Sequence, residues 1–248
     1  MDFIYGMRPV EEALEAGRNL EKVFFQKGLQ GPLFRSLFTK VRESKIPYQF
    51  VPLQRLNRIT GKNHQGVIAY MSLIEYQRVE NILPTIFETG QAPLILVLDE
   101  ITDVRNIGAI ARTADAAGCH ALVLPEKNSA ALNADAMKTS AGALSHIAVC
   151  RETDLVSTVK LLKESGLTVV AATEKGEELF NIPVPSGPVA VIMGSEERGI
   201  RQPLLGLADQ QVRIPMSGHV ASLNVSVAAG IILYEIVRQR KESEFRQE

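Results

Sequence analysis

Six short apolar runs restrict the fold of this chain more than any other feature: Leu94 to Leu98, Ala121 to Leu124, Ile147 to Val149, Thr168 to Ala172, Val189 to Met193 and Val212 to Ile214. They do not alternate with polar residues, so neither face of such a strand is suited to water. A mostly parallel sheet with helices on both faces covers both sides. The stretches between the runs are long enough for crossover helices, which predicts an α/β domain over the last 155 residues or so.

The last run leads into Ile214 to Glu235, IPMSGHVASLNVSVAAGIILYE. After Ser222 the apolar positions leave no continuous polar stripe, and a helix apolar all round belongs in a core or an oligomer interface. Its expected first turn nevertheless carries Ser222 and Asn224, where backbone N–H groups lack intrahelical partners. These two residues read either as caps or as groups that face a bound molecule.

With 46% apolar and 22% charged residues among 248, the chain is neither largely disordered nor membrane-spanning, and it has room for a small domain beside a medium one. No apolar stretch is long enough for a bilayer, and the first residues lack a basic segment followed by an apolar one; a soluble, cytoplasmic protein is expected. Cys119 and Cys150 form no Cys-x-x-Cys and lie in apolar surroundings, so they read as buried thiols, with no metal implied. The net charge of −1 hides a bias: residues 1–77 hold eleven Lys/Arg against seven Asp/Glu. Such a bias suits a polyanion but is modest by itself.

In that first part Pro9 opens a short helix, Lys22 to Phe25 and Tyr48 to Val51 read as strands, and Leu33 to Val41 shows helical spacing. Leu53 to Ile59 reads as a short helix, and a glycine-bounded loop containing His64 precedes a strand from Val67. The expected division is 1–76 as a first domain, 77–92 as a linker and 93–248 as a second domain. His64 reads as a solvated loop histidine or an RNA contact, and His120, His146 and His219 as structural or loop residues.

Three loops at strand ends carry unusual polar residues. In the first, Asn106 reads as the N-cap of a helix whose buried stripe is Ile107, Ile110, Ala111 and Ala114. Arg112 points away from that stripe, either solvated and paired with Asp115, or as a fixed guanidinium for phosphate or developing negative charge. The second loop is Gly194-Ser195-Glu196-Glu197-Arg198-Gly199, either a solvated turn or a ligand loop whose glycines permit close approach. The third is the Ile214 stretch. A dinucleotide fingerprint, a nucleophile elbow and a P-loop are all missing, which disfavours a nucleotide-dependent enzyme.

Taken together, Asn106-x-Gly108-x-x-x-Arg112, Gly194-Ser195-Glu196-x-x-Gly199, and Ile214-Pro215-Met216 with Ser222-Leu223-Asn224-Val225-Ser226 resemble the three motifs of the SpoU (TrmH) family of RNA ribose 2′-O-methyltransferases. The first third, with Tyr5-Gly6 and His64-Gln65-Gly66-Val67, resembles the RNA-binding extension of the branch that modifies a guanosine of large-subunit (23S) ribosomal RNA. The resemblance implies a SPOUT-type α/β domain with a deep trefoil knot and a mostly parallel sheet, preceded by a small L30e-like α/β domain. It implies S-adenosylmethionine as methyl donor and a homodimer, which would use the all-apolar helix. It maps Asn106, Arg112, Glu196, Ser222 and Asn224 to catalytic positions and Gly194, Ile214 and Leu223 to donor contacts. Transfer RNA is the alternative substrate, and a non-catalytic knotted RNA-binding protein the alternative class. The family commonly has proline where this chain has Val104.

Overall fold

The computed structural model describes residues 3–183, 185 and 187–245; the outermost positions of the two expected domains, 1–2 and 246–248, lie outside the described residues. The chain divides into two compact units, Met1–Glu75 with Leu132–Ala134, and Tyr76–Ala131 with Asp135–Glu248.

The first unit runs β1 (Phe3–Tyr5), α1 (Met7–Glu15), β2 (Leu20–Gln26), α2 (Pro32–Glu43), β3 (Tyr48–Val51), α3 (Leu53–Ile59) and β4 (Val67–Met71). Its sheet has the order β1-β4-β2-β3, with β2 parallel to β3 and β4 antiparallel to both β1 and β2. Alternation along β2 divides the unit into two cores. Val23 and Phe25 pack with Val10, Leu37 and Val41 of α1 and α2, while Phe24 packs on the other face with Ile68 and with Leu56 of α3. Pro9 is the third residue of α1 rather than the first, still among the N–H positions that lack a helical partner. The short strand β1 was not visible as a run, because its three residues are all half-buried. His64 is buried, not solvated: the Gly66 N–H donates to its Nδ1 at 3.0 Å, and its Nε2 lies 2.8 Å from Asn57 Oδ1. The ring thus holds its own loop together.

The second unit runs β5 (Tyr76–Gln77), α4 (Val79–Glu88), β6 (Leu94–Leu98), α5 (Val104–Ala116), β7 (Ala121–Pro125), α6 (Ala134–Thr139), β8 (Ala148–Glu152), α7 (Leu155–Glu164), β9 (Thr168–Glu178), β10 (Val189–Met193), α8 (Gln202–Leu205), β11 (Gln210–Arg213) and α9 (Val225–Phe245). Seven strands make one sheet, β11-β9-β10-β6-β7-β8-β5, and each neighbouring pair is parallel. All six apolar runs fall in strands, save Ile147 and Ile214 just outside two of them. The seventh strand, β5, straddles an expected boundary, with Tyr76 placed in the first domain and Gln77 in the stretch read as a linker. That stretch is built into the unit. Val79 and Leu83 of α4 join the core beneath β6 and β7, and Arg78 pairs with Glu126 and Glu152 at 3.1 and 3.0 Å. The acceptors of Arg78 come from distant strand ends, 48 and 74 positions along the chain.

Strand order reverses beside β6. The chain moves outward from β6 through β7 to β8, then crosses to β9 and returns to β10 against the other side of β6. In open α/β sheets the crevice for a ligand opens at the carboxyl ends of strands at such a switch point. Here those ends release the loops after Leu98 and Met193. Both cysteines are free and buried. Among the described residues no helix is long and apolar enough to cross a membrane, and no group of three or more His, Cys, Asp or Glu could hold a metal ion.

The last helix, expected in a core or an oligomer interface, meets the core of this chain with one of its faces. It packs along α5 and buries Val225, Ala229, Ile232, Leu233 and Ile236, while Val227 and Tyr234 are 50% and 51% exposed. Within one chain, α9 therefore has an apolar face in the core and another facing outward.

Candidate active site

Two backbone features aim the loops at the switch point. The Asp99 N–H donates to the carbonyl of Met193 at 2.8 Å, continuing the β6–β10 pairing beyond the strands. Fully buried Asp99 also accepts from the Arg201 backbone N–H at 2.9 Å, from its Nε at 2.8 Å and from its Nη2 at 2.7 Å. Buried charge is costly unless paired and hydrogen-bonded, and this pairing fixes the far end of the Gly194 loop to the start of the Asn106 loop. Sequence reasoning missed both residues; an acid directly after a fully apolar strand was the available signal.

Asp103, not Asn106, caps α5. Its carboxylate accepts from the N–H groups of Arg105 and Asn106 at 2.8 and 2.9 Å. Both residue types are good caps, and only the bonding distinguishes them. The consequence is chemical, because the Asn106 amide is released for other partners. Val104 occupies the first helical position, a place that suits proline.

The freed amide meets Glu196 and Asn224. Glu196 Oε1 accepts from Asn106 Nδ2 at 3.2 Å, from Asn224 Nδ2 at 2.8 Å and from the backbone N–H of Val225 at 3.1 Å. Asn224 Nδ2 also donates to Asn106 Oδ1 at 2.9 Å. Asn224 is itself the cap of α9, since its Oδ1 accepts from the Ser226 N–H at 3.0 Å and its carbonyl from the Ala228 N–H at 3.0 Å. A carboxylate is thus held at the N-terminus of a 21-residue helix, where the helix dipole favours negative charge. The helix begins at Val225, later than expected, so Ser222 lies before it in the loop and not in its first turn.

Beside this cluster lies a cavity of about 560 Å³, within the range of small-molecule and cofactor sites. Its apolar lining includes Met193, Ile200, Leu205, Val212, Ile214 and Leu223, and its polar lining includes Thr173, Glu174, Glu196, Arg198, Arg213 and Ser222. Gly194 makes the closure possible: a Cβ there would meet the Gly199 carbonyl carbon at 2.1 Å and the Ile200 nitrogen at 2.3 Å. The turn is fastened further by the Gly199 N–H to the Ser195 carbonyl at 2.9 Å and by the Arg198 N–H to Ser195 Oγ at 3.2 Å. The β9 residues Thr173 to Lys175 reach the cavity because that strand continues to Glu178, past its apolar part.

Of the expected site residues, Gly194, Glu196, Ile214, Ser222 and Leu223 line the cavity, and Asn106 and Asn224 are joined to it through Glu196. Arg112 is not brought in. It is exposed on α5, outside the cavity lining, with no hydrogen bond or ion pair among the described residues, including none to Asp115.

Residues 93–234 match the family described as SpoU rRNA methylase, and residues 3–77 match RNA 2′-O ribose methyltransferase substrate binding. The chain belongs to the SpoU (TrmH) family. This SpoU chain is 38% identical over 243 residues to the 23S rRNA (guanosine-2′-O-)-methyltransferase RlmB of Salmonella typhimurium, covering 96% of this chain and 99% of that protein. It is 34% identical over 239 residues to the putative TrmH family tRNA/rRNA methyltransferase YacO of Bacillus subtilis, with 96% of each covered. Among solved structures, the AdoMet-bound rRNA methyltransferase of Sinorhizobium meliloti aligns with TM-score 0.61 at 26% identity, over 95% of this chain and 86% of that one. The second unit is therefore a SPOUT-type domain, and the protein is an RNA ribose 2′-O-methyltransferase.

Proposed function

We propose that this enzyme methylates the ribose 2′-hydroxyl of a guanosine in large-subunit (23S) ribosomal RNA, in the cytoplasm and as a homodimer, with the deep trefoil knot of its family. One observation carries the site assignment: Glu196 joins the first and third motif loops through a single carboxylate oxygen beside the cavity. The methyl donor is S-adenosylmethionine, which supplies an electrophilic methyl group on a sulfonium. The cavity suits such a molecule: it has apolar walls for a flat ring and an aliphatic chain, polar side chains at its edge, and a glycine where backbone must pass closely. Gly194, Ile214 and Leu223 are assigned to donor contact.

Transfer to a hydroxyl requires the oxygen in line with the methyl carbon and relieved of its proton. Positioning is most of the task. Glu196 has one oxygen committed to three N–H donors, so it serves as an orienting acceptor that fixes Asn106, Asn224 and the start of α9. Ser222, exposed at the cavity wall, is placed to hydrogen-bond the reacting ribose. Arg112 carries a guanidinium, a donor-only group that does not serve as a general base in proteins. It is therefore assigned to holding the adjoining phosphate and stabilising the forming alkoxide, while phosphate or water takes the proton. With no hydrogen bond or ion pair among the described residues, the guanidinium is available for RNA.

The dimer is supported by α9, where Val227 and Tyr234 stand half exposed two helical turns apart. The expected first domain, 1–76, is assigned to RNA binding and 93–248 to methyl transfer. The test is incubation with labelled S-adenosylmethionine and, separately, undermodified ribosomal and transfer RNA, with the product mapped by resistance to alkaline cleavage. Label at one ribosomal guanosine is expected. Label only in transfer RNA overturns the substrate, and Arg112→Ala with normal turnover and normal binding of donor and RNA overturns the role of Arg112.

A further inference from the structure

Both faces of the first sheet carry ring clusters. Among the described residues, the α1/α2 side has one cation over a ring, Arg42 Cζ 5.9 Å from the Phe38 centroid, against three on the face that carries α3. The rings on the α3 face form a continuous plate: Phe3–Tyr5, Phe3–Tyr70 and Phe24–Tyr70 have centroids 6.2, 6.1 and 5.8 Å apart. Three cations lie on that plate. Lys22 Nζ is 5.1 Å and Arg55 Cζ 4.8 Å from the centroid of the same ring, Phe24, and Lys62 Nζ is 5.8 Å from that of Tyr5.

We propose that Lys22, Arg55 and Lys62 form the surface by which the first unit grips the phosphate backbone of the substrate RNA. This rests on the reading of the protein as an RNA methyltransferase and adds to it the contact surface.

Three observations favour phosphate. First, none of the three side chains has an ion pair or hydrogen bond among the described residues, whereas Lys40 on α2, across the sheet, is paired with both Glu11 and Glu15. Second, two like charges share one ring. Burial, and then the Arg55 guanidinium, hold the Lys22 ammonium below the ordinary lysine range, and the Glu21 carboxylate opposes them more weakly. An anion between Lys22 and Arg55 would relieve that repulsion. Third, the rings attract the cations by their faces and restrain the flexible stems, which lowers the ordering cost of binding. Phe24 is only 6% exposed beneath its two cations, so a base cannot stack on it. The surface therefore supplies affinity without a sequence code, consistent with the excess of eleven Lys/Arg over seven Asp/Glu in residues 1–77.

The experiment compares full-length wild-type protein, the triple variant Lys22→Gln/Arg55→Gln/Lys62→Gln, and Arg35→Gln, which removes one exposed cation from α2 on the other face. Affinity for a fluorescent transcript of large-subunit ribosomal RNA is measured across a salt series. Each lost phosphate contact removes about 0.7–0.9 from the slope of log K against log salt. The triple variant should lose about 2–3 from that slope and bind at least about tenfold more weakly at low salt, while Arg35→Gln leaves it unchanged. Calorimetric binding of S-adenosylmethionine and the circular dichroism melt should match wild type, which separates lost contact from misfolding. A triple variant with the wild-type slope overturns the surface and leaves the enzymatic reading intact, provided wild type methylates RNA. A loss per cation equal to that of Arg35→Gln reduces the effect to net charge and also overturns it. Wild-type protein that neither binds nor methylates RNA overturns both.

Discussion

Replacing Gly194 with alanine tests how the cavity is closed. The added Cβ would lie 2.1 Å from the carbonyl carbon of Gly199 and 2.3 Å from its oxygen, against ordinary contacts of 3.4–4 Å, so backbone must move by more than about 1 Å. The loop has little freedom at either end. Met193 is tied into the sheet and Arg201 is held by buried Asp99, so the displacement falls on Ser195 to Gly199. Glu196 is in that segment, and its contacts of 2.8, 3.1 and 3.2 Å would pass beyond hydrogen-bond range after such a shift. Overpacking of this kind costs about 1–3 kcal/mol of stability, and misplacement by about 1 Å near a reacting centre costs about 100-fold in rate. Gly194→Ala should therefore lower the denaturant midpoint, weaken S-adenosylmethionine binding in calorimetry and reduce kcat/KM for methyl transfer by about two orders of magnitude. Gly218→Ala is the control, because a Cβ there meets nothing within 4 Å. A Gly194→Ala protein with wild-type donor affinity and turnover would refute the close-passage account of the cavity.

Val104→Pro should stabilise the protein by about 0.4–1 kcal/mol, raising Tm by about 1–4 °C. Val104 is the first residue of α5 and follows Asp103 in an extended conformation (φ −82°, ψ 122°), which proline accepts; a lower Tm would count against it. Burial pushes the thiols of Cys119 and Cys150 up to about 12, so neither should react with an aromatic disulfide reagent at neutral pH until denaturant is added. Rapid labelling of the native protein would contradict that. Burial, aided by the Arg240 charge, holds His120 below the ordinary histidine range. The unfolded chain takes up that proton first, so stability should fall as pH drops below about 6.5 and level off above it. His120→Gln should flatten that dependence in urea titrations, and an unchanged profile would remove His120 as its source.

Strands and motif loops were legible for a local reason. An apolar run without alternation reports burial on both faces from its own composition, and β6 and β10 were placed to the residue, as Leu94–Leu98 and Val189–Met193. The loops were legible because glycine and short polar residues directly after such runs have little other use. Competition between nearby candidates was not legible. Asp103 and Asn106 are equally good caps in isolation, and Arg78 becomes an anchor only beside Glu126 and Glu152.

By itself, then, the sequence determined which segments must be buried and which polar groups stand at their ends, since propensity and hydropathy act over a few residues. Tertiary structure decided which of those ends meet. Asn106 and Glu196 are 90 positions apart, and Asn106 and Asn224 118 apart. They share one carboxylate only because the order β9-β10-β6 returns the chain to the flank of β6. The same order gives α9 two different faces, one against α5 and one outward, which no periodicity along the helix could separate, because both faces are apolar. A strand's neighbours are set by the crossover path of the whole chain, and that information is not held in any one segment.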